Sequence, residues 1–241
     1  MRRLVADMGQ FFGTELRPLD LFGPAHLVAT GVLSLLGVWL IRAGMAADDR
    51  GRLRLRVAMI AAILLFRITK HAWKASVGLW AVETDLGLHL CSAMSLITVY
   101  GLWTRRPWVL HLMYFFGVAG AVQAVLTPDA TFGVWHFTFF ETMISHGILV
   151  MAGIWAVKVE GYRPTARDPW LALGLLNLYA VVMYPLNRLL GSNYLYVLDK
   201  PATASILDYF PGWPWYILLL EPLAIALFLA LYLPFRNPAA N

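Results

Sequence analysis

Apolar residues dominate seven stretches of the chain, and polar residues and turn-formers gather between them. The stretches run from about Ala25 to Ile41, Val57 to Trp80, Leu86 to Trp103, Trp108 to Leu126, Val134 to Val157, Trp170 to Leu190 and Trp213 to Leu233. Each is close to the roughly 20 mostly apolar residues that a helix needs to cross a bilayer. The second is the most broken, because Arg67, Lys70, His71 and Lys74 fall inside it. Arg105-Arg106-Pro107, Thr127-Pro128-Asp129, Arg163-Pro164 and Pro211-Gly212 punctuate the pattern as turns. The pattern predicts an all-α fold, a polytopic membrane helical bundle of about seven transmembrane helices. It predicts a single integral membrane domain over 1–241, without linker or low-complexity segment.

Composition agrees with this. Of 241 residues, 60% are hydrophobic and only 14% charged, against about 25% charged in an ordinary soluble domain. The net charge of +5 fits basic cytoplasmic loops and anionic lipid, and no nucleic-acid partner is expected. A single cysteine excludes an internal disulfide and a cysteine-rich metal site. Arg2 and Arg3 precede no apolar core before Asp7, so no signal peptide is expected.

The basic residues also predict an orientation. The connections after the first, third, fifth and seventh stretches are richer in Lys and Arg than the other side, led by Arg50, Arg52, Arg54, Arg105, Arg106 and Arg163. By the positive-inside rule the N-terminus lies outside and the C-terminus in the cytoplasm. Most of the unusual polar residues then collect in the outer half: Lys70, His71, His89, Cys91, Gln123, His136, His146, Asn193 and Lys200.

Three constellations follow. The first is Cys91 in the third stretch with His146 in the fifth. A thiolate is the nucleophilic form of cysteine, and a nearby imidazole can take its proton. Ser95 and Thr98 share the helical face of Cys91, whereas His89, two residues away, points elsewhere. Thr142 shares the face of His146, and Glu141 lies beside it. Against this, a lone buried cysteine is commonly a small hydrophobe. Counting about 1.5 Å of rise per residue, Cys91 lies about 8 Å and His146 about 18 Å inside their helices, a depth gap of about 10 Å. The second constellation is the cationic stripe of Arg67, Lys70 or His71, and Lys74. It reads either as a phosphate site for a lipid headgroup or as snorkelling side chains paired with Glu83, Asp85 or Glu141. The third is the loop from Gly191 to Asp208, where Tyr194, Tyr196 and Tyr209 suit a membrane interface and Asn193, Asp199 and Lys200 are extra. His136 and His146 are ten residues apart, which is no ligand spacing on one face, so no metal is expected.

The ordered motifs resemble a known family over nearly the whole chain. They are L-H-L-C at 88–91, A-V-Q-A-V-L-T-P-D at 121–129, H-F-T-F-F-E-T-M-I-S-H-G at 136–147, N-L-Y and G-S-N-Y around the sixth stretch, and D-K-P-A-T-A-S-I-L-D at 199–208. Together they are similar to the YwaF family of integral membrane proteins. Its eukaryotic relatives are described as phospholipid acyltransferases, related in fold to the androgen-induced-gene membrane hydrolases. The resemblance implies an intramembrane nucleophile on one helix and a histidine on another, which fall on Cys91 and His146. It implies acyl transfer on a membrane phospholipid or lysophospholipid through a cysteine thioester, without cofactor or metal, in a bacterial cytoplasmic membrane. The expected substrate-binding set is Lys70, His71, His89, Gln123, His136, Glu141, Thr142, Asn193 and Lys200, with Thr142, Ser95 or Gln123 as oxyanion donors. The rival reading is a lipid- or solute-binding or transport protein without covalent catalysis, although no inverted repeat or pair of broken helices marks it.

Overall fold

A computed structural model describes residues 10–17, 19–201 and 206–236. Arg2, Arg3 and residues 202–205 of the 191–208 loop lie outside the described residues. Among the described residues the elements are helical: α1 Pro24–Ala46, α2 Asp49–Ser76, α3 Val82–Asp85, α4 Leu90–Thr104, α5 Pro107–Leu112, α6 Ala119–Leu126, α7 Phe137–Lys158, α8 Asp168–Leu190 and α9 Trp215–Tyr232. A π-helical turn, Met113–Val118, joins α5 to α6 into one rod. A rod therefore stands at each of the seven apolar stretches, and α3 is a single extra turn between two of them.

Among the described residues five rods are long and apolar enough to cross a membrane: α1, the α5–α6 rod, α7, α8 and the rod from Trp215 through Phe235. The expectation of about seven such spans meets two departures. Helix α4 has only 15 residues, about 22 Å at 1.5 Å per residue, against about 30 Å of hydrocarbon. Helix α2 is long, with 28 residues, but carries Arg52, Arg54, Arg56, Arg67, Lys70 and Lys74.

Local chemistry explains the boundaries. Asp48 accepts a hydrogen bond from the Gly51 N–H at 2.8 Å and caps α2 well before the expected start at Val57. Residues 86–89 stay outside α4 because Gly87 has φ +78°, a left-handed conformation that suits glycine. A Cβ at Gly87 would also lie 2.3 Å from Arg67 Nη2. Arg105, at φ 54°, ends α4, and Pro107 opens α5 one residue after Arg106. Gly191 at φ 63° ends α8.

Helix α7 is the centre of the bundle and α1, α8 and α9 are its rim: 61% of the apolar window of α7 is buried, against 11%, 17% and 11% for the other three. Helices α7 and the π turn approach closely because Gly153 has no side chain; a Cβ there would stand 2.6 Å from the Met113 carbonyl oxygen. One core cluster joins α1, α2, α4, α5, the π turn and α7 through Leu40, Ile63, Leu102, Leu110, Met113 and Trp155. A second joins α4, the π turn, α7, α8 and α9 through Met94, Phe115, Leu149, Ala172 and Phe228.

The connections divide between two ends. One end, the site end below, carries residues 77–89, 127–136 and 191–214. There Tyr179 Oη donates to Leu88 O at 2.6 Å, and Trp73 Nε1 donates to Phe12 O at 3.0 Å. The other, the basic end, carries residues 105–106 and 159–167, with Arg56 on Glu160 at 2.9 Å.

Candidate functional site

The site grows from three neighbouring helices, α2, α4 and α7. Arg67 of α2 donates from Nη1 to Ser92 O at 3.0 Å and to Ser95 Oγ at 2.9 Å, both on α4. Lys70, one turn nearer the site end, pairs with Glu141 of α7 at 2.8 Å. Lys74, a turn further, pairs with Asp85 at 2.6 Å. Each cation of the stripe thus has a partner within the protein. His71 Nδ1 accepts from Trp80 Nε1 at 3.2 Å. The Lys70 side chain keeps 35% exposure while Glu141 keeps 8%, so the cation, and not the carboxylate, still faces outward.

Cys91 is the second residue of α4, with a free, half-buried thiol packed among apolar neighbours of the second core cluster. Gly120 of α6 faces it: a Cβ there would stand 3.8 Å from the Sγ, in ordinary van der Waals contact. His146 lies half-buried on α7, with Nδ1 2.8 Å from Thr142 O. A carbonyl only accepts, so Nδ1 carries the proton and Nε2 keeps the lone pair.

Helix starts alone would leave the expected depth gap open: α4 begins four residues later than expected and α7 three. Helix α2 acts as a ruler between them. Arg67 meets Ser92 and Ser95, and Lys70, about 4.5 Å nearer the site end, meets Glu141. Helix α4 therefore starts deeper in the bundle than α7. The His146 imidazole also folds back over the preceding turn to Thr142, the direction in which helical side chains lean. Both effects bring thiol and imidazole closer in depth. Among the described residues no hydrogen bond joins them.

The remaining expected site residues divide. His89 is the N-cap of α4, with its ring 5.1 Å from that of Tyr194 and 5.0 Å from that of Tyr196. Burial lowers its pKa below the ordinary histidine value, with Lys70 and Lys74 acting in the same direction and Asp85 opposing. Burial raises the Tyr196 phenol, and Asp129 and Cys91 add to the effect, so the 191–208 loop reaches the neighbourhood of Cys91. Thr142 is buried beside Glu141. Gln123 is exposed and donates to Ala119 O of its own helix at 3.3 Å. His136 is buried as the N-cap of α7: its Nδ1 accepts the Thr138 N–H at 3.3 Å, and its ring packs 5.0 Å from Trp73 and 4.8 Å from Phe132. Asn193 accepts from the Leu198 and Asp199 N–H groups and donates to Asp199 O at 2.7 Å. Lys200 Nζ donates to Phe210 O at 2.6 Å. These four hold local structure, whereas Arg67, Lys70, Ser95, Glu141, Thr142 and His146 converge.

Two polar groups were not singled out by sequence reasoning. Glu221 of α9 accepts from Asn177 Nδ2 at 2.8 Å; a lone carboxylate inside the seventh stretch was its visible signal. His111, Tyr162 and Asp168 meet at the basic end, and no sequence spacing announces them. No group of three or more His, Cys, Asp or Glu among the described residues is arranged to hold a metal ion.

No curated protein and no solved structure matches the chain. The match to a protein family covers residues 21–232, from just before α1 to the end of α9. Together with the apolar helices it makes this an integral membrane protein, and the chain belongs to the TMEM164 family, a family of transmembrane proteins.

Proposed function

We propose that the chain is an intramembrane acyltransferase of phospholipids, with Cys91 as nucleophile and His146 as its base. The observation that carries the reading is the hydrogen bond from His146 Nδ1–H to the Thr142 carbonyl. It leaves Nε2 free to take a proton, on a helix packed against the one that holds Cys91. The motif resemblance to the YwaF membrane proteins and their acyltransferase relatives supports the same pair.

In the first half-reaction Cys91 Sγ attacks the acyl ester carbonyl as its proton passes to His146 Nε2. The ester C–O bond breaks, the departing lysophospholipid oxygen takes the proton back, and the acyl group remains as a thioester. In the second half, an acceptor hydroxyl gives its proton to Nε2 and attacks the thioester, the C–S bond breaks, and the thiol is restored. An apolar setting favours the neutral thiol, so the base is required. Of the candidate oxyanion donors, Ser95 commits its one hydroxyl hydrogen to Ser92 O, which leaves Thr142 and the second N–H of Gln123 Nε2, whose other N–H goes to Ala119 O. The outward-facing Lys70 ammonium suits the lipid phosphate. The reaction needs no cofactor or metal.

Intact-protein mass spectrometry after incubation with phospholipid tests this. One added acyl group on the wild type and none on Cys91→Ala is expected. Full acyl transfer by Cys91→Ala would sink the assignment. The second reading, a lipid- or solute-binding protein without covalent chemistry, is favoured by one observation: the thiol and imidazole share no hydrogen bond while the nearby cations are internally paired. It expects ligand binding unchanged in Cys91→Ser and no adduct.

We further propose that all seven rods cross a bacterial cytoplasmic membrane with the N-terminus outside. On a Cys91→Ala background, Gly51→Cys should label only after permeabilisation. Labelling from outside intact cells would invert the orientation.

A further inference from the structure

An apolar groove of about 620 Å³ runs between α4, α5 and α8, a volume ordinary for a ligand site. Helices α4 and α8 hardly touch along their length, so the groove is a gap in the side of the bundle. Buried Met94 and Phe116 form its floor, and exposed Trp108 and Leu171 belong to its edges. One pole is set by Leu90, the first residue of α4, and by Tyr179 of α8, whose Oη donates to Leu88 O at 2.6 Å. The other pole lies at the basic end, at Trp108 and Asp168. From Asp168 to Tyr179 is about 16 Å of helix, close to one leaflet's half of a hydrocarbon core about 30 Å thick.

The Leu90 pole adjoins the thiol. A Cβ built on Gly120 would lie 3.8 Å from Cys91 Sγ and equally 3.8 Å from Leu90 Cδ2, so the two side chains face one small space. Cys91 also packs on the core cluster that supplies Met94, and with it Phe116, to the groove floor. From this pole onward the wall is apolar, through Ala93 and Ile97 on α4 and Leu175 and Leu171 on α8. Polar groups gather at the basic pole, where His111 Nδ1 lies 3.0 Å from Tyr162 Oη and 3.7 Å from Asp168 Oδ1. They end the apolar path. A charged group in the apolar stretch would go unpaired, and the Asp168 carboxylate disfavours a lipid phosphate at the basic pole. The path therefore suits a hydrocarbon chain whose polar head lies at the Leu90 pole.

We infer that this groove holds one acyl chain of a phospholipid, with the ester carbonyl at Cys91 and the terminal methyl towards Trp108, and that Ile97, Trp108 and Leu171 set the chain length accepted. The inference rests on the acyl-transfer reading and assigns the chain-binding part of that site. A chain entering from the bilayer exchanges one hydrocarbon setting for another, so selection comes from fit and not from burial. Ala93 is small and lets the chain lie close to α4. Trp108 stands where a chain longer than the groove would have to turn out into the bilayer.

The test has two arms, both on the purified full chain in phosphatidylcholine vesicles. The first reads binding without chemistry. Cys91→Ala receives a trace of phosphatidylcholine with a diazirine on one acyl chain, placed either near the carbonyl or at the methyl end. The first probe should label around Ala93 and the second around Trp108 and Leu171. Labelling spread over α1 and α9 would reduce the groove to ordinary lipid contact, and the reversed order would seat a lipid of the other leaflet; either overturns the proposal. The second arm reads acylation of Cys91 by phosphatidylcholines of increasing chain length. Ile97→Trp fills the far half of the groove and should lower long-chain relative to short-chain acylation by about tenfold, as apolar pockets discriminate against surplus methylenes. Ala93→Phe, beside the thiol, should lower acylation at every length. An unchanged profile in Ile97→Trp, or equal loss at all lengths, overturns the length assignment. Should Ile97→Trp fail to fold, Leu171→Trp at the exposed edge carries the same expectation. Labelling in the expected order without any wild-type adduct would remove the acyl-transfer reading and keep the chain site. Adducts with scattered labelling would do the reverse.

Discussion

The two ends of the bundle hold their ion pairs in different ways. At the basic end Arg56 and Glu160 lie 2.9 Å apart with side chains 9% and 10% exposed, and Trp155 Nε1 donates to the same carboxylate oxygen at 2.8 Å. Both charges are removed from solvent, and α2 is fastened to the end of α7. At the site end Lys70 meets Glu141 at 2.8 Å, but the cation stays 35% exposed. A pair with one partner near solvent can open at modest cost, whereas a fully buried pair cannot. The first arrangement is that of a structural fastening; the second keeps a cation at the edge of the protein.

The largest expected effect breaks the basic-end pair. Glu160→Ala strands Arg56 in the core and should destabilise the protein by about 3–5 kcal/mol, read as the shift of an unfolding transition in detergent. The double change Arg56→Met with Glu160→Leu should recover much of that loss. If Glu160→Ala costs no more than Lys70→Ala, the two ends do not differ as described.

The next effect belongs to the site end and is kinetic. Cys91→Ala and His146→Ala should each lower acyl transfer by about 100-fold or more, and the double variant no further. Unfolding transitions should barely move. Additive losses would show that the two residues act separately.

A smaller effect tests the joint between α3 and α4. Gly87→Ala forces a Cβ into a left-handed conformation against Arg67 and should cost about 1–2 kcal/mol. Gly78, also at positive φ but with open space around its Cβ position, should lose less on the same change, by the same measurement.

The smallest effect concerns Asp85. Burial alone would raise its carboxyl pKa, but hydrogen bonds from Lys74, Thr84 and the Ala81 N–H outweigh it and hold the group below the ordinary aspartate value. A depressed folded-state pKa gives stability that is present above the unfolded value of about 4 and is lost as pH falls through the folded one. Asp85→Asn should therefore lower stability at neutral and alkaline pH, change it least in acid, and so flatten the acid side of the profile, read from unfolding transitions across pH.

Helix positions were legible in the sequence because apolar stretches in a membrane must satisfy their own backbone hydrogen bonds, and a helix does this locally. Boundaries were less legible: the start of α2 depends on the Asp48 cap, and the start of α4 on Gly87. The site was legible in part. Lys70, Glu141, Thr142, Cys91 and His146 stood out as ionisable or polar groups in apolar stretches; the structure brings Lys70 to Glu141 and His146 to Thr142, whereas Cys91 packs among apolar neighbours on α4. Gln123, His136, Asn193 and Lys200 stood out for the same reason, yet their partners are a few residues away in the chain or in a packed aromatic cluster.

What the sequence determined by itself is therefore local or compositional: an integral membrane bundle, its seven rods, its turns, and which residues carry unusual chemistry for their surroundings. Tertiary structure decided the pairings and the relative depth of helices. Arg67 on Ser95, Lys70 on Glu141, Arg56 on Glu160 and His111 on Tyr162 join residues 28, 71, 104 and 51 positions apart. Such contacts depend on how rods slide and rotate against one another. That packing is set by small residues such as Gly153 and by core side chains, which the period of a single helix does not encode.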